Sequence, residues 1–271
     1  MLSAKLTLLS DPAQMFLEAI GIDADPIREP EAFQKACEQA NPRYKGGKDL
    51  VRFQLEEDYT QWKPQQLRAT MILARELGMF NEKRLEGNFD VIIALGGARR
   101  SPLHRACYAA EAIARGKAAT NALVIAGSTR PVNEAERATV KDFAPDADEE
   151  IKICQGAAEV ISKRYPNIRV ITVCNPDPKS GNRGVIQRVM AELDGLFHNN
   201  IRKVASATTG IYRTALMFDM MMESPNFGWT YYDAAGHPSD PEMVFNRTTS
   251  TYCSEGLTTL SKACMAATMG F

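Results

Sequence analysis

The chain has no excess of either charge. Its 32 lysines and arginines face 33 aspartates and glutamates, a formal net charge of −1 over 271 residues. Nothing global therefore argues for nucleic acid or an anionic membrane as partner, and any cationic site must be local. Long hydrophobic runs are also missing. The longest, VIIAL (91–95) and ALVIA (122–126), fall far below the roughly 20 residues that a membrane span needs. The opening stretch MLSAKLTLLSDPAQMF has neither the apolar core nor the cleavage site of a secretory signal. The composition, 45% hydrophobic and 24% charged, is that of a globular protein, and a cytoplasmic location is expected. The six cysteines (37, 107, 154, 174, 253, 264) include no C-x-x-C pair. They read as reduced, mostly buried thiols rather than a disulfide framework.

Cofactor fingerprints are absent too. No G-x-G-x-x-G follows a strand, no acid closes the second strand, and no P-loop or G-x-S-x-G elbow occurs. No cofactor is named by the sequence. Its three histidines, His104, His198 and His237, lack the spacing of a metal pair, so no metal site is expected. His198 ends a helical pattern, and His104 lies one turn into another. His237 sits on a loop with Asp233 near it in sequence, which makes it a candidate general acid or base.

What is present is a change of rhythm near residue 90. Upstream the pattern is helical: PEAFQKACEQA begins with Pro30, a further helix is expected around 49–62, and a third begins at Pro64. In that third helix Leu67, Met71, Ala74 and Leu77 fall on one face. From 90 onward short apolar runs (90–95, 121–127, 168–174, 201–207, 228–233) alternate with helical patterns (101–116, 133–142 with 148–164, 182–198, 210–222), and a last helix spans about 251–268. The 182–198 pattern carries an apolar stripe from Val185 to Leu196 and Phe197. The acidic stretch APDADEE (144–150) reads as a linker. This alternation predicts an α/β fold: a Rossmann-like, doubly wound parallel sheet of about five strands (89–271) with a helical N-terminal subdomain (1–88).

In such sheets ligands bind beyond the carboxyl ends of the strands. The first strand is followed by Gly96, Gly97, Arg99 and Arg100. Ser128, Thr129, Arg130 and Glu134 follow the second, and Asn175, Asp177, Ser180, Asn182 and Arg183 the third. Thr208, Thr209, Tyr212 and Arg213 follow the fourth. Glycines permit close backbone approach, and arginines offer a planar fork for phosphate or carboxylate. The set predicts a cationic site for a small anionic molecule. Thr208 or Thr209 is expected to cap the helix that follows, and Glu134, Asp177 or His237 to handle protons.

The order of these motifs resembles the YdcF/SanA-like family over about 90–220. The resemblance rests on Leu95-Gly96-Gly97 with Arg99, Arg100 or Arg105, on Ala126-Gly127-Ser128 with Glu134-Ala135, on Ser180 and Asn182, and on Thr208-Thr209 with Arg213. The chain lacks the family's Thr and Glu in the third loop, and Tyr212 stands where the family has a histidine. The resemblance implies a Rossmann-like fold and a site at the strand ends. It also links such proteins to envelope functions and to S-adenosylmethionine binding. Two functions are expected from residues and resemblance together. One is an enzyme, a hydrolase or transferase, acting on a nucleotide-like or phosphorylated metabolite. The other is a non-catalytic sensor of an S-adenosylmethionine- or nucleotide-like ligand.

Overall fold

A computed structural model describes residues 3–42, 62–97, 99–197, 201–229, 231–236 and 249–271. In chain order the elements are α1 (Ala4–Leu8), α2 (Asp11–Ile20), α3 (Pro30–Ala40), α4 (Pro64–Glu76), β1 (Gly87–Leu95), α5 (Ser101–Ala114), β2 (Ala118–Ser128), α6 (Glu134–Val140) and α7 (Glu150–Arg164). They continue with β3 (Val170–Asn175), α8 (Gly181–Phe197), β4 (Lys203–Ala207), α9 (Gly210–Phe227), β5 (Tyr231–Ala235) and α10 (Thr249–Thr268). The chain forms two compact units. One gathers Met1–Asn81, Gly210–Met222 and Pro241–Phe271; the other gathers Glu82–Thr209 and Glu223–Asp240.

The second unit holds a five-stranded sheet in the order β3-β2-β1-β4-β5, parallel at every pairing. The sequence predicts this parallel sheet, and the physical basis is burial on both faces. Val91, Ile92, Ile93, Ala94 and Leu95 of the central strand are all buried, as are Ala122 to Ala126 of β2. Each buried Ile or Leu contributes roughly 1.5–3 kcal/mol. Alternation along the strand sends Ile92 and Ala94 to one face, where α5 and α7 pack with Ala106, Ala109, Ala110, Ala157 and Ile161. Four alanines at that contact let the helices lie close to the sheet. Beyond it, α8 packs on β2 and β3 through buried Val185, Ile186, Val189, Met190 and Leu193. Its predicted stripe stops there, because Leu196 is 50% exposed.

From β1 the chain winds outward through β2 and β3. It then crosses back to lay β4 against the other side of β1. Strand order therefore reverses between β1 and β4. Their carboxyl ends, at Leu95 and Ala207, lead directly into Gly96-Gly97 and Thr208-Thr209.

Among its described residues, the first unit is helical. The hydroxyl of Ser10 caps α2, which ends on Gly21 at φ +80°. Pro30 opens α3 as predicted. The expected face of α4 is corrected by its packing: Ala69, Thr70, Leu73, Ala74 and Leu77 are buried, whereas Met71 is 40% exposed. The reason is close approach between helices. Gly256 of α10 passes so near α4 that an added Cβ would lie 3.1 Å from Leu73, so Leu73 rather than Met71 faces the contact. The helix expected around 49–62 lies outside the described residues. No helix among them is long and apolar enough to cross a membrane.

Candidate functional site

The site is built in the sheet unit, beginning with the turn after β1. The Gly96 N–H donates to Ala126 O, and a Cβ at Gly96 would lie 2.9 Å from that oxygen and 2.6 Å from Glu150 Oε1. Gly97 follows at φ +148°, and Arg99 takes the left-handed region at φ +55°, which a non-glycine residue seldom occupies. Beneath the turn lies Arg105, one turn into α5 and buried. Its guanidinium donates to Leu95 O at 2.9 Å and closely to Gly96 O. The peptide is trans, so the Gly97 N–H points opposite the Gly96 carbonyl, away from Arg105.

The end of β2 carries a network of paired charges. Arg130 grips the carboxylate of Glu136 with both terminal nitrogens, each at 3.1 Å, and Glu136 is 0% exposed. Glu136 also accepts the N–H of Asn133, whose side chain accepts the N–H of Glu136 in return, a capping box that starts α6. On the other side of Arg130, Glu150 Oε2 lies 4.0 Å from Nε. That oxygen also accepts the Ser128 hydroxyl at 2.6 Å and the Ser128 N–H at 3.3 Å. Glu150 is the first residue of α7 and only 8% exposed. Its second oxygen, Oε1, faces Gly96 and takes no hydrogen bond from the described residues. Beside it, burial first and Glu150 second push the Cys154 thiol well up. Burial and the raised pKa both disfavour the thiolate that a nucleophile at Cys154 would need.

The third loop is tied to itself. Asn175 is buried and donates to Asp177 O at 2.8 Å, while Asp177 is exposed and accepts the Lys179 N–H. The Thr129 hydroxyl donates to Pro176 O at 2.9 Å, linking the second and third loops. The side chains of Ser180 and Asn182 lie outside the described set. Arg183 pairs with buried Glu223, which also accepts from Gln187 at 2.8 Å.

After β4, Thr208 and Thr209 are both buried. Thr209 occupies the N-cap position of α9, but its hydroxyl makes no capping bond. Its Oγ1 finds no partner among the described residues. This corrects the expectation that a threonine hydroxyl caps the helix. The Thr208 N–H donates to Ala235 O at 2.8 Å. Gly236 then passes so close that a Cβ would lie 1.6 Å from Thr208 O.

Four of the arginines chosen from sequence, Arg100, Arg130, Arg183 and Arg213, are engaged with protein groups. Arg100 forks onto Asp142, at 2.5 and 2.9 Å, and reaches Thr139 O. That contact holds the Asp142 carboxyl below its ordinary range. Arg130 binds Glu136 and Arg183 binds Glu223. In the helical unit, Arg213 donates to Gly78 O and Asn81 O, each at 2.9 Å, and Tyr212 is buried. Glu134 is exposed at the start of α6, His104 is half-buried on α5, and His198 and His237 lie outside the described residues.

Gly96, Ser128 and Arg130 thus each lie against Glu150. Sequence reasoning missed the use of Glu136 and Glu150. Asn133-x-x-Glu136 was a readable capping signal. Glu150 was hidden in the acidic stretch taken for a linker. No family model, no curated protein and no solved structure matches this chain.

Proposed function

We propose that the carboxyl edge of the sheet binds a small anionic metabolite, nucleotide-like or phosphorylated, and that the protein acts on it as a hydrolase or transferase. The observation that supports this reading is the pair of loops at the reversal of strand order. Gly96-Gly97, backed by buried Arg105, follows β1, and Thr208-Thr209, where the Thr209 hydroxyl has no partner among the described residues, follows β4. A glycine turn above a buried guanidinium suits an anion held by backbone N–H groups. Because Arg100, Arg130, Arg183 and Arg213 engage protein carboxylates and carbonyls, this reading gives the backbone and hydroxyls the larger share of the contact. The likeness to the YdcF/SanA-like family stands on its motifs and agrees with the same site. Exposure of Glu134 and Asp177 favours a second reading, a sensor that binds the same ligand without turnover.

Calorimetric titration with inorganic phosphate, followed by a screen of phosphorylated metabolites for binding and turnover, tests both readings. Saturable binding that Thr209→Val weakens is the expected result. A protein that binds no anion at millimolar concentration overturns the site.

A further inference from the structure

The sequence carries no acid at the end of its second strand, yet the fold delivers one there. Glu150 comes from the start of α7, 22 residues beyond Ser128. Its carboxylate lies between the carboxyl ends of β1 and β2, held at Oε2 by Ser128 and set at Oε1 against Gly96. In dinucleotide-binding sheets of this strand order, an acid near the second strand accepts a ribose hydroxyl while the pyrophosphate rests on the turn after the first.

We propose that Glu150 Oε1 accepts a hydroxyl of the ligand's vicinal diol, so that the substrate class is a sugar phosphate of the ribose type. The proposal rests on the anion-site reading above and adds the sugar to it. Three features support it. First, the Glu150 side chain is 11% exposed while Oε1 lacks any hydrogen bond from the described residues. A mostly desolvated charged acceptor of this kind gains most from a donor that a ligand brings. Second, Oε2 is anchored by two bonds from Ser128, so Oε1 is oriented before a ligand arrives. Third, Gly96 stands where any side chain would meet Oε1, at 2.6 Å for its first carbon. Turn and carboxylate therefore form one floor, with Arg105 on the Gly97 side. Arg130, whose terminal nitrogens are taken by Glu136, lies 4.0 Å from the carboxylate and offsets its charge only in part.

The test compares ribose 5-phosphate, 2-deoxyribose 5-phosphate and inorganic phosphate by calorimetry on the full chain. Ribose 5-phosphate is expected to bind about 10-fold or more tighter than its 2-deoxy analogue, since a hydrogen bond to a charged group is lost. In Glu150→Gln, which keeps an acceptor for Ser128 but loses the charge, that ratio should fall to about 3-fold, the range of a neutral bond. Equal affinities for the two sugar phosphates in the wild type overturn the role of Glu150 while leaving the anion site standing. Failure of all three probes to bind overturns both. The wild-type comparison decides the question even if the variant does not fold.

Discussion

Glu150 Oε2 lies 2.6 Å from Ser128 Oγ, so the first residue of α7 is tied to the last residue of β2. Arg130 closes the same knot, with Glu136 on its terminal nitrogens and Glu150 beside Nε. The loop between β2 and α6 is thereby held by charge as well as by the apolar packing of buried Val132.

Arg130→Met leaves the fully buried Glu136 without its counter-charge. The expected loss is about 3–5 kcal/mol in urea unfolding, the range for breaking a buried pair from one side. Adding Glu136→Leu should recover much of it, because the orphaned charge is then gone. A double variant no more stable than Arg130→Met would contradict this account.

Thr209→Val should leave stability unchanged or slightly raised, since the hydroxyl that it removes has no partner among the described residues. The same variant should bind phosphate more weakly. Thermal unfolding and calorimetry on one sample separate the two effects.

Two glycines should respond in opposite directions. Gly236→Ala puts a carbon within 1.6 Å of Thr208 O at φ +155°, and should cost more than the roughly 1–3 kcal/mol of ordinary overpacking. Gly195, inside α8 and with open space around it, should accept alanine with a gain of roughly 0.5–1 kcal/mol. Chemical denaturation of both variants reads the contrast.

Burial pushes the Cys37 thiol up to about 12, and Cys154 is raised well above its ordinary value by burial and then by Glu150. Both should resist iodoacetamide near neutral pH, since the thiolate is the reactive form. Peptide mass mapping should find them labelled only after urea unfolding.

Asp142 supplies a pH signature. Its folded pKa is depressed by the hydrogen bond from Arg100, so its stabilisation is present above the unfolded value near 3.8 and lost as pH falls through the folded value. Asp142→Asn should flatten the stability profile in that acid window and nowhere else. The effect is small, because the carboxylate is largely solvent-exposed.

The sequence by itself determined the parallel sheet. Continuous apolar runs such as 91–95 can be buried on both faces only between helices, and the helical patterns supplying that cover alternate with them. It also located the turns, because Gly96-Gly97 and Thr208-Thr209 directly follow strands. Only the tertiary structure decided what stands beside those turns. Arg100, Arg130 and Arg183 look alike as loop cations in sequence. The partners of Arg100 and Arg183, Asp142 and Glu223, lie 42 and 40 residues away, at separations that no local pattern encodes. Although Glu136 is only six residues from Arg130, its capping pattern does not announce the ion pair. The α4 face likewise followed a neighbour, Gly256, far along the chain. Glu150 shows the limit most plainly. Periodicity reports which face of an element is buried, but not which charged group a helix start will set against another strand. Packing α7 on the sheet places that carboxylate against Gly96, and desolvation then requires Ser128 and Arg130 to meet it.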